Sequence, residues 1–149
     1  MNPIDRTAPS QTDSIAFEFD LQHPPAAVWH ALTDPVLLAE WLLPVVGFGL
    51  GKGTAFRFEA PPQPGWSGVV NCRMLEADPP RKLSYAWTVG DMALDTVVTF
   101  TLAPTASGTH MTLVQSGFTP QQKQNFGGAR YGWKLMGGKL VELLARRAQ

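Results

Sequence analysis

Several kinds of residue are scarce in this chain. Its single cysteine, Cys72, cannot close an internal disulfide, which agrees with a reducing compartment. Charge is sparse and balanced: twelve basic and twelve acidic residues leave a formal net charge of zero. No broad field draws in a polyanion, so nucleic acid is not an expected partner. The longest apolar runs, such as Val36 to Leu38 and Trp41 to Leu43, fall far short of the roughly 20 residues that span a bilayer. Met1 to Asp13 is polar and lacks the apolar core of a signal peptide, so the expectation is a soluble cytoplasmic protein with no membrane partner.

Reactive constellations are missing as well. His23, His30 and His110 fall in different elements with no cysteine or carboxylate at ligand spacing, which argues against a metal site. There is no Gly-x-Ser-x-Gly elbow, and Cys72, inside a strand pattern, reads as a small buried hydrophobe. The alternating Gly47, Gly49, Gly51 and Gly53 are followed by neither a Walker pattern nor a strand-to-helix context, so they read as turning points, not a phosphate loop. Glu18, Glu59, Glu76, Asp91 and Asp95 suit cross-strand pairing and solvation better than acid–base machinery. No catalytic residue, cofactor or metal is therefore expected.

What is present is a sheet pattern closed by one long helix. At 149 residues the chain has the size of one ordinary domain; the expectation is a flexible tail over residues 1–13 and one domain over 14–149. Ile15, Phe17 and Phe19 alternate with Glu18 and Asp20, which predicts a strand with one covered face. Pro24-Pro25 then starts a helix over Pro25 to Thr33, and Asp34-Pro35 ends it while capping a second over Val36 to Trp41. Strands follow at Thr54 to Glu59, Ser67 to Glu76, Leu83 to Val89, Thr96 to Leu102 and Thr109 to Ser116. A proline-rich loop at Ala60 to Gly65 and turns at Asp78-Pro79-Pro80, Gly90-Asp91 and Ala103 to Gly108 separate them. In the Ser67 strand both faces carry apolar residues, so its facing stays open. After Thr119-Pro120, Trp133, Met136, Leu140, Leu143 and Leu144 recur at the steps of one helix face. Gly127, Gly128, Gly132, Gly137 and Gly138 interrupt that helix, each less favourable than alanine by about 0.8 to 1.0 kcal/mol. This predicts closeness to the sheet or mobility.

The run Pro25 to Pro35, Trp41, Asp78-Pro79-Pro80-Arg81-Lys82-Leu83, Tyr85-Ala86-Trp87, Gly108-Thr109, Ser116-Gly117-Phe118 and Gly132-Trp133, in this order, resembles the activator of Hsp90 ATPase homologue family of the SRPBCC, or START/Bet v 1-like, superfamily. The resemblance covers Ile15 to about Ala145. It implies an α+β helix-grip fold: a curved antiparallel sheet of about six or seven strands around a long C-terminal helix, with two short helices after the first strand. It also implies a cavity for an apolar or amphipathic ligand between sheet and helix. By position, the lining would be Trp29, Leu32, Trp41, Phe56, Phe58, Tyr85, Trp87, Phe100, Leu113, Gln115, Phe118, Trp133, Met136 and Leu140, residues that serve equally as plain core. Members often carry a polar or histidine residue before Ser-Gly-Phe; here Gln115 stands there and can orient a ligand by hydrogen bonds.

Three functions are open on this reading. The first is a module binding a small hydrophobic molecule of lipid, aromatic or polyketide-like kind without covalent chemistry. The second is a cyclase or dehydratase using the same cavity, which needs a buried titratable group there. The third is a stress-response interaction module, which needs an exposed apolar patch. Arg57 and Asn71 or Arg73 face away from the aromatic side in a regular register; a bulge would bring Arg57 or Arg73 into the cavity to anchor a carboxylate. Sheet-edge pairing offers a route to a homodimer that nothing in the sequence demands. The separate chaperone-binding domain of the eukaryotic co-chaperone is not represented, so a chaperone partner is not supported.

Overall fold

In the computed structural model, which describes residues 2–10, 12–90 and 93–147, the polar opening stretch is tied down. Ile4–Asp5 forms strand β1, antiparallel to β2 (Ser14–Leu21), with Ile4 opposite Glu18. The Asn2 side chain donates to the Asp20 carbonyl at 2.6 Å and accepts the Asp20 N–H at 2.8 Å. Thr7 is buried, and its hydroxyl accepts the Ala16 N–H at 3.1 Å. The segment expected as a flexible tail over residues 1–13 thus carries, in its described part, a strand and side-chain clamps. Such clamps leave no periodic signal in the sequence.

The helices form at the expected places. In α1 (Pro25–Thr33) a proline occupies the first turn, where no hydrogen-bond donor is lost. Asp34 closes α1 through its own N–H to the His30 carbonyl at 3.0 Å. Its carboxylate then caps α2 (Pro35–Trp41) by accepting the Val36 N–H at 2.8 Å, a contact worth about 0.5 to 2 kcal/mol. The pair buries Val28, Ala31, Leu32, Leu37, Leu38 and Trp41.

The sheet continues through β3 (Val45–Val46), β4 (Ala55–Glu59), β5 (Val69–Asp78), β6 (Lys82–Val89), β7 (Leu94–Thr105) and β8 (Gly108–Ser116). Its order is β1-β2-β8-β7-β6-β5-β4-β3, every described neighbour antiparallel. Eight strands replace the expected six or seven because β1 and β3 add two residues each at the edges, leaving little open edge for another chain to pair with. The facing of β5 is settled by burial: Val70, Cys72 and Met74 point inward, while a register shift between Met74 and Glu76 leaves Leu75 exposed. The turn expected at Gly90-Asp91 runs into residues outside those described.

One helix, α3 (Lys123–Arg147), covers the concave face. It follows a tight turn over Pro120–Gln122, where the Gln122 side-chain oxygen accepts the Thr119 N–H at 3.0 Å and its nitrogen donates to the Ala93 carbonyl at 2.8 Å. The buried face of α3 is Phe126, Trp133, Gly137, Leu140, Leu143 and Leu144. No helix among the described residues is long and apolar enough to cross a membrane.

Candidate functional site

Most of the expected cavity lining packs into solid core. Phe56 meets Tyr85 at 5.2 Å between ring centroids, Phe58 meets Trp87 at 5.5 Å, and Trp87 meets Trp133 at 5.4 Å. Phe100 bridges Trp41 and Trp133 at 6.3 and 6.2 Å. With Leu32, Leu113 and Leu140, all buried, these residues carry the aromatic layer from β4 across the sheet to α3. Trp29 is half-buried against the same layer. Phe118 stacks edge-on with Phe126 at 5.2 Å near the start of α3. Gln115 turns to the protein and not to a cavity: its side-chain oxygen accepts the Trp133 indole N–H at 2.7 Å, and its nitrogen donates to the Thr96 hydroxyl at 2.9 Å. That hydroxyl donates to the Trp87 carbonyl at 2.8 Å, so every member of this buried network has a partner and Trp133 is fixed in place.

Beside the layer lies a pocket of about 590 Å³, open to solvent and lined by Leu43, Ala60, Trp66, Val70, Trp87, Val89, Leu94, Gln124, Asn125, Gly128, Ala129, Gly132 and Met136. Of the residues expected to line a cavity, Trp87 and Met136 do so. The side chains of β5, β6 and β7 form one wall. The other is the first half of α3, where Asn125, Gly128, Ala129, Gly132 and Met136 recur at steps of three and four. A Cβ at Gly128 would meet nothing within 4 Å, and one at Gly132 only the Met136 methyl carbon at 3.6 Å. The pocket is therefore partly the space these two side chains do not fill. Trp66 closes the pocket from a turn in which Gln63 and Trp66 pair through two backbone hydrogen bonds of 2.9 Å around Pro64 and Gly65. Gly65, at a φ of 81°, takes the conformation that a proline–glycine turn demands at its second corner. The Trp66 indole N–H then donates to the Val69 carbonyl at 3.2 Å. This wall is legible in hindsight from the Pro64-Gly65-Trp66 order, since a fixed turn places the next side chain.

No side chain lining the pocket titrates near neutral pH. Arg57 is exposed and paired with Glu59 at 2.7 Å, and exposed Arg73 reaches the Gly53 carbonyl at 3.4 Å. Neither enters the pocket, because the register of β4 against β5 is regular where they stand. Burial pushes the Cys72 thiol up to about 12, so a thiolate nucleophile is not available there. The phenol of Tyr85 is held well above its usual value by burial, with Cys72 adding to the effect. Among the described residues no group of three or more metal-ligating side chains forms. A second hollow of about 580 Å³, bounded by Ala8, Ser10, Thr12, Asp13, Phe118 and Pro120, shares no residue with the first.

The profile of the family described as Activator of Hsp90 ATPase homolog 1-like protein matches residues 22–145. The chain belongs to this family. The match begins just after β2 and takes in both short helices, the remaining strands and nearly all of α3. Protein MLL2253 from Mesorhizobium loti is 40% identical, with 89% of this chain and 97% of that one superposed at a TM-score of 0.82. Two more distant structures share the fold. The Aha1 dimer from Colwellia psychrerythraea is 15% identical at a TM-score of 0.75, covering 89% and 96% of the two chains. DynU16, a protein of the dynemicin biosynthetic locus, is 21% identical at a TM-score of 0.76, covering 91% of this chain and 48% of that one. No curated protein matches the chain.

Proposed function

We propose that this member of the family binds a small, mainly apolar molecule between β5–β7 and the first half of α3, without covalent chemistry. The observation that carries the reading is the pocket of about 590 Å³, walled by Trp66, Trp87, Val89, Leu94 and Met136 beside the packed aromatic layer. Pockets of a few hundred Å³ with apolar and aromatic walls and a few polar groups are the usual form of a small-molecule site. Here Gln124 and Asn125 supply the polar groups. A cyclase or dehydratase would need a proton donor or acceptor on the wall, and the lining side chains offer none, so binding is the better supported use. The place of DynU16 in a biosynthetic locus keeps polyketide-like aromatics among the compounds to test.

The test is a thermal-shift screen of fatty acids, sterols, flavonoids and neutral aromatics, repeated on Gly132→Leu, whose side chain intrudes on the pocket. A ligand at 100 times its Kd stabilises the native state by about 2.7 kcal/mol. A saturable rise in Tm that disappears in Gly132→Leu, while the variant keeps its own folded spectrum, is the expected result. No rise with any class, or a rise the variant leaves unchanged, would sink the reading.

A further inference from the structure

Three of the tryptophans spend their indole N–H inside the protein: Trp41 on the Ala31 carbonyl at 2.9 Å, Trp66 on the Val69 carbonyl at 3.2 Å and Trp133 on Gln115 at 2.7 Å. Trp87 differs. Its backbone carbonyl is taken by Thr96 and its ring stacks on Phe58 and Trp133, but its indole nitrogen has no acceptor among the described residues, although the side chain lines the pocket and the residue is only 8% exposed. No fully buried side-chain nitrogen or oxygen among those residues lacks a partner. The Trp87 nitrogen therefore keeps accessible surface, and the pocket is the open space its side chain borders. A donor that keeps accessible surface is free to bond solvent. A ligand that covers the donor must supply an acceptor or leave it unmade in a mostly apolar site.

Charge narrows the ligand further. The wall holds no cation, Arg57 is engaged by Glu59, and Arg130, next in sequence to the lining Ala129, is held by Asp5 at 2.6 Å. An anion drawn into the pocket would lose its hydration without gaining a counter-charge. Exposed Lys123, next in sequence to the lining Gln124, sits in water, where an ion pair contributes little.

We infer that the ligand of this pocket is uncharged, apolar over most of its surface, and carries a carbonyl-type oxygen that accepts a hydrogen bond from the Trp87 indole N–H. The inference rests on the binding reading above and names the ligand class for the same site.

Three probes of one shape test it: acetylnaphthalene, which has the acceptor; ethylnaphthalene, which lacks it; and naphthoate, which has oxygens and a negative charge. Their Kd values are measured by calorimetry on the full chain, on Trp87→Phe, which keeps an aromatic wall without the donor, and on Gly132→Leu. Acetylnaphthalene is expected to bind about tenfold or more tightly than either analogue, a ratio that converts to about 1.4 kcal/mol per factor of ten. In Trp87→Phe the advantage over ethylnaphthalene is expected to vanish. Equal affinity for the acetyl and ethyl probes on the unmodified chain, or naphthoate binding as tightly as the ketone, overturns the inference and leaves the binding reading in place. Binding that Gly132→Leu does not weaken, or no binding by any probe, overturns both. The comparison on the unmodified chain decides the matter even if Trp87→Phe fails to fold.

Discussion

Two glycines of α3, one in each half, are used in opposite ways. At Gly137 the helix presses on the sheet: a Cβ there would stand 2.9 Å from the tip of the Phe19 ring and 3.0 Å from Pro3. At Gly128, two and a half turns earlier, a Cβ would meet nothing within 4 Å, and the space beyond is the pocket. Trp133 stands between them, fully buried and anchored by Gln115. The same residue type thus serves close contact at Gly137 and open volume at Gly128. What differs is the surface opposite: Phe19 of β2 fills the gap under Gly137, whereas the strands facing Gly128 and Gly132 present a wall set back by a pocket's width.

The largest expected effect comes from truncating equivalent side chains in the two halves. Leu140 is fully buried, so Leu140→Ala should destabilise by about 2 to 5 kcal/mol, the lost transfer energy plus the cavity left behind. Met136, one turn away, is half-buried on the pocket wall. Met136→Ala enlarges a space already open to water and should cost under about 1 kcal/mol. Denaturant unfolding of both variants measures the gap; equal losses would mean that the halves are packed alike.

Gly137→Val comes next. The substitution raises helix propensity, but it forces two extra methyl groups and a Cβ against Phe19 and Pro3, and overpacking of this kind costs about 1 to 3 kcal/mol. A net fall in Tm is expected. A rise would show that the Phe19 ring yields freely, and would remove Gly137 as the point that sets the distance between helix and sheet.

This contrast also marks what the sequence could and could not disclose. Period-two alternation exposed the inward face of β2, and Asp34-Pro35 marked the break between α1 and α2, because these signals act between near neighbours in the chain. The glycines of α3 were legible as a cost without a direction: Gly128 and Gly137 look identical until the strand opposite each is known. For the same reason most of the aromatic residues placed around a cavity by resemblance interlock in the core, and Trp87 both stacks there and borders the pocket. Whether rings enclose space or fill it depends on their rotamers and on which strands meet, and no local pattern records either. Trp66 was missed as a wall because its element is a loop, positioned by a turn and one indole hydrogen bond.

A smaller effect separates two adjacent glycines within the open half. Gly127→Ala and Gly128→Ala each add a Cβ with nothing within 4 Å, so each should stabilise by about 0.8 to 1.0 kcal/mol through helix propensity. Only Gly128 lines the pocket, so only Gly128→Ala should also weaken acetylnaphthalene binding. Thermal unfolding together with calorimetry separates the two readouts. If both variants bind alike, the first half of α3 does not bound the ligand site.

The smallest expected effect concerns how the open half is held from outside. Arg130, amid the pocket-lining residues of α3, pairs with Asp5 of β1 at 2.6 Å. Burial alone would raise the Asp5 carboxyl; hydrogen bonds from the Thr7 backbone N–H, Arg130 and the Thr7 hydroxyl, with the Arg130 charge, outweigh it, and the net shift is downward. A carboxyl more acidic in the folded than in the unfolded chain stabilises the fold above its unfolded value, about 3.9. That contribution is lost as the pH falls through the still lower folded value. Both side chains are partly exposed, so solvent screening keeps the contribution under about 1 kcal/mol. Asp5→Asn should therefore lower stability slightly at neutral pH, and the difference should shrink as the pH falls below the ordinary carboxyl value of about 3.9, as followed by urea unfolding at neutral and at acid pH. A loss that persists undiminished in acid would assign the effect to the shape of the β1 turn and not to its charge.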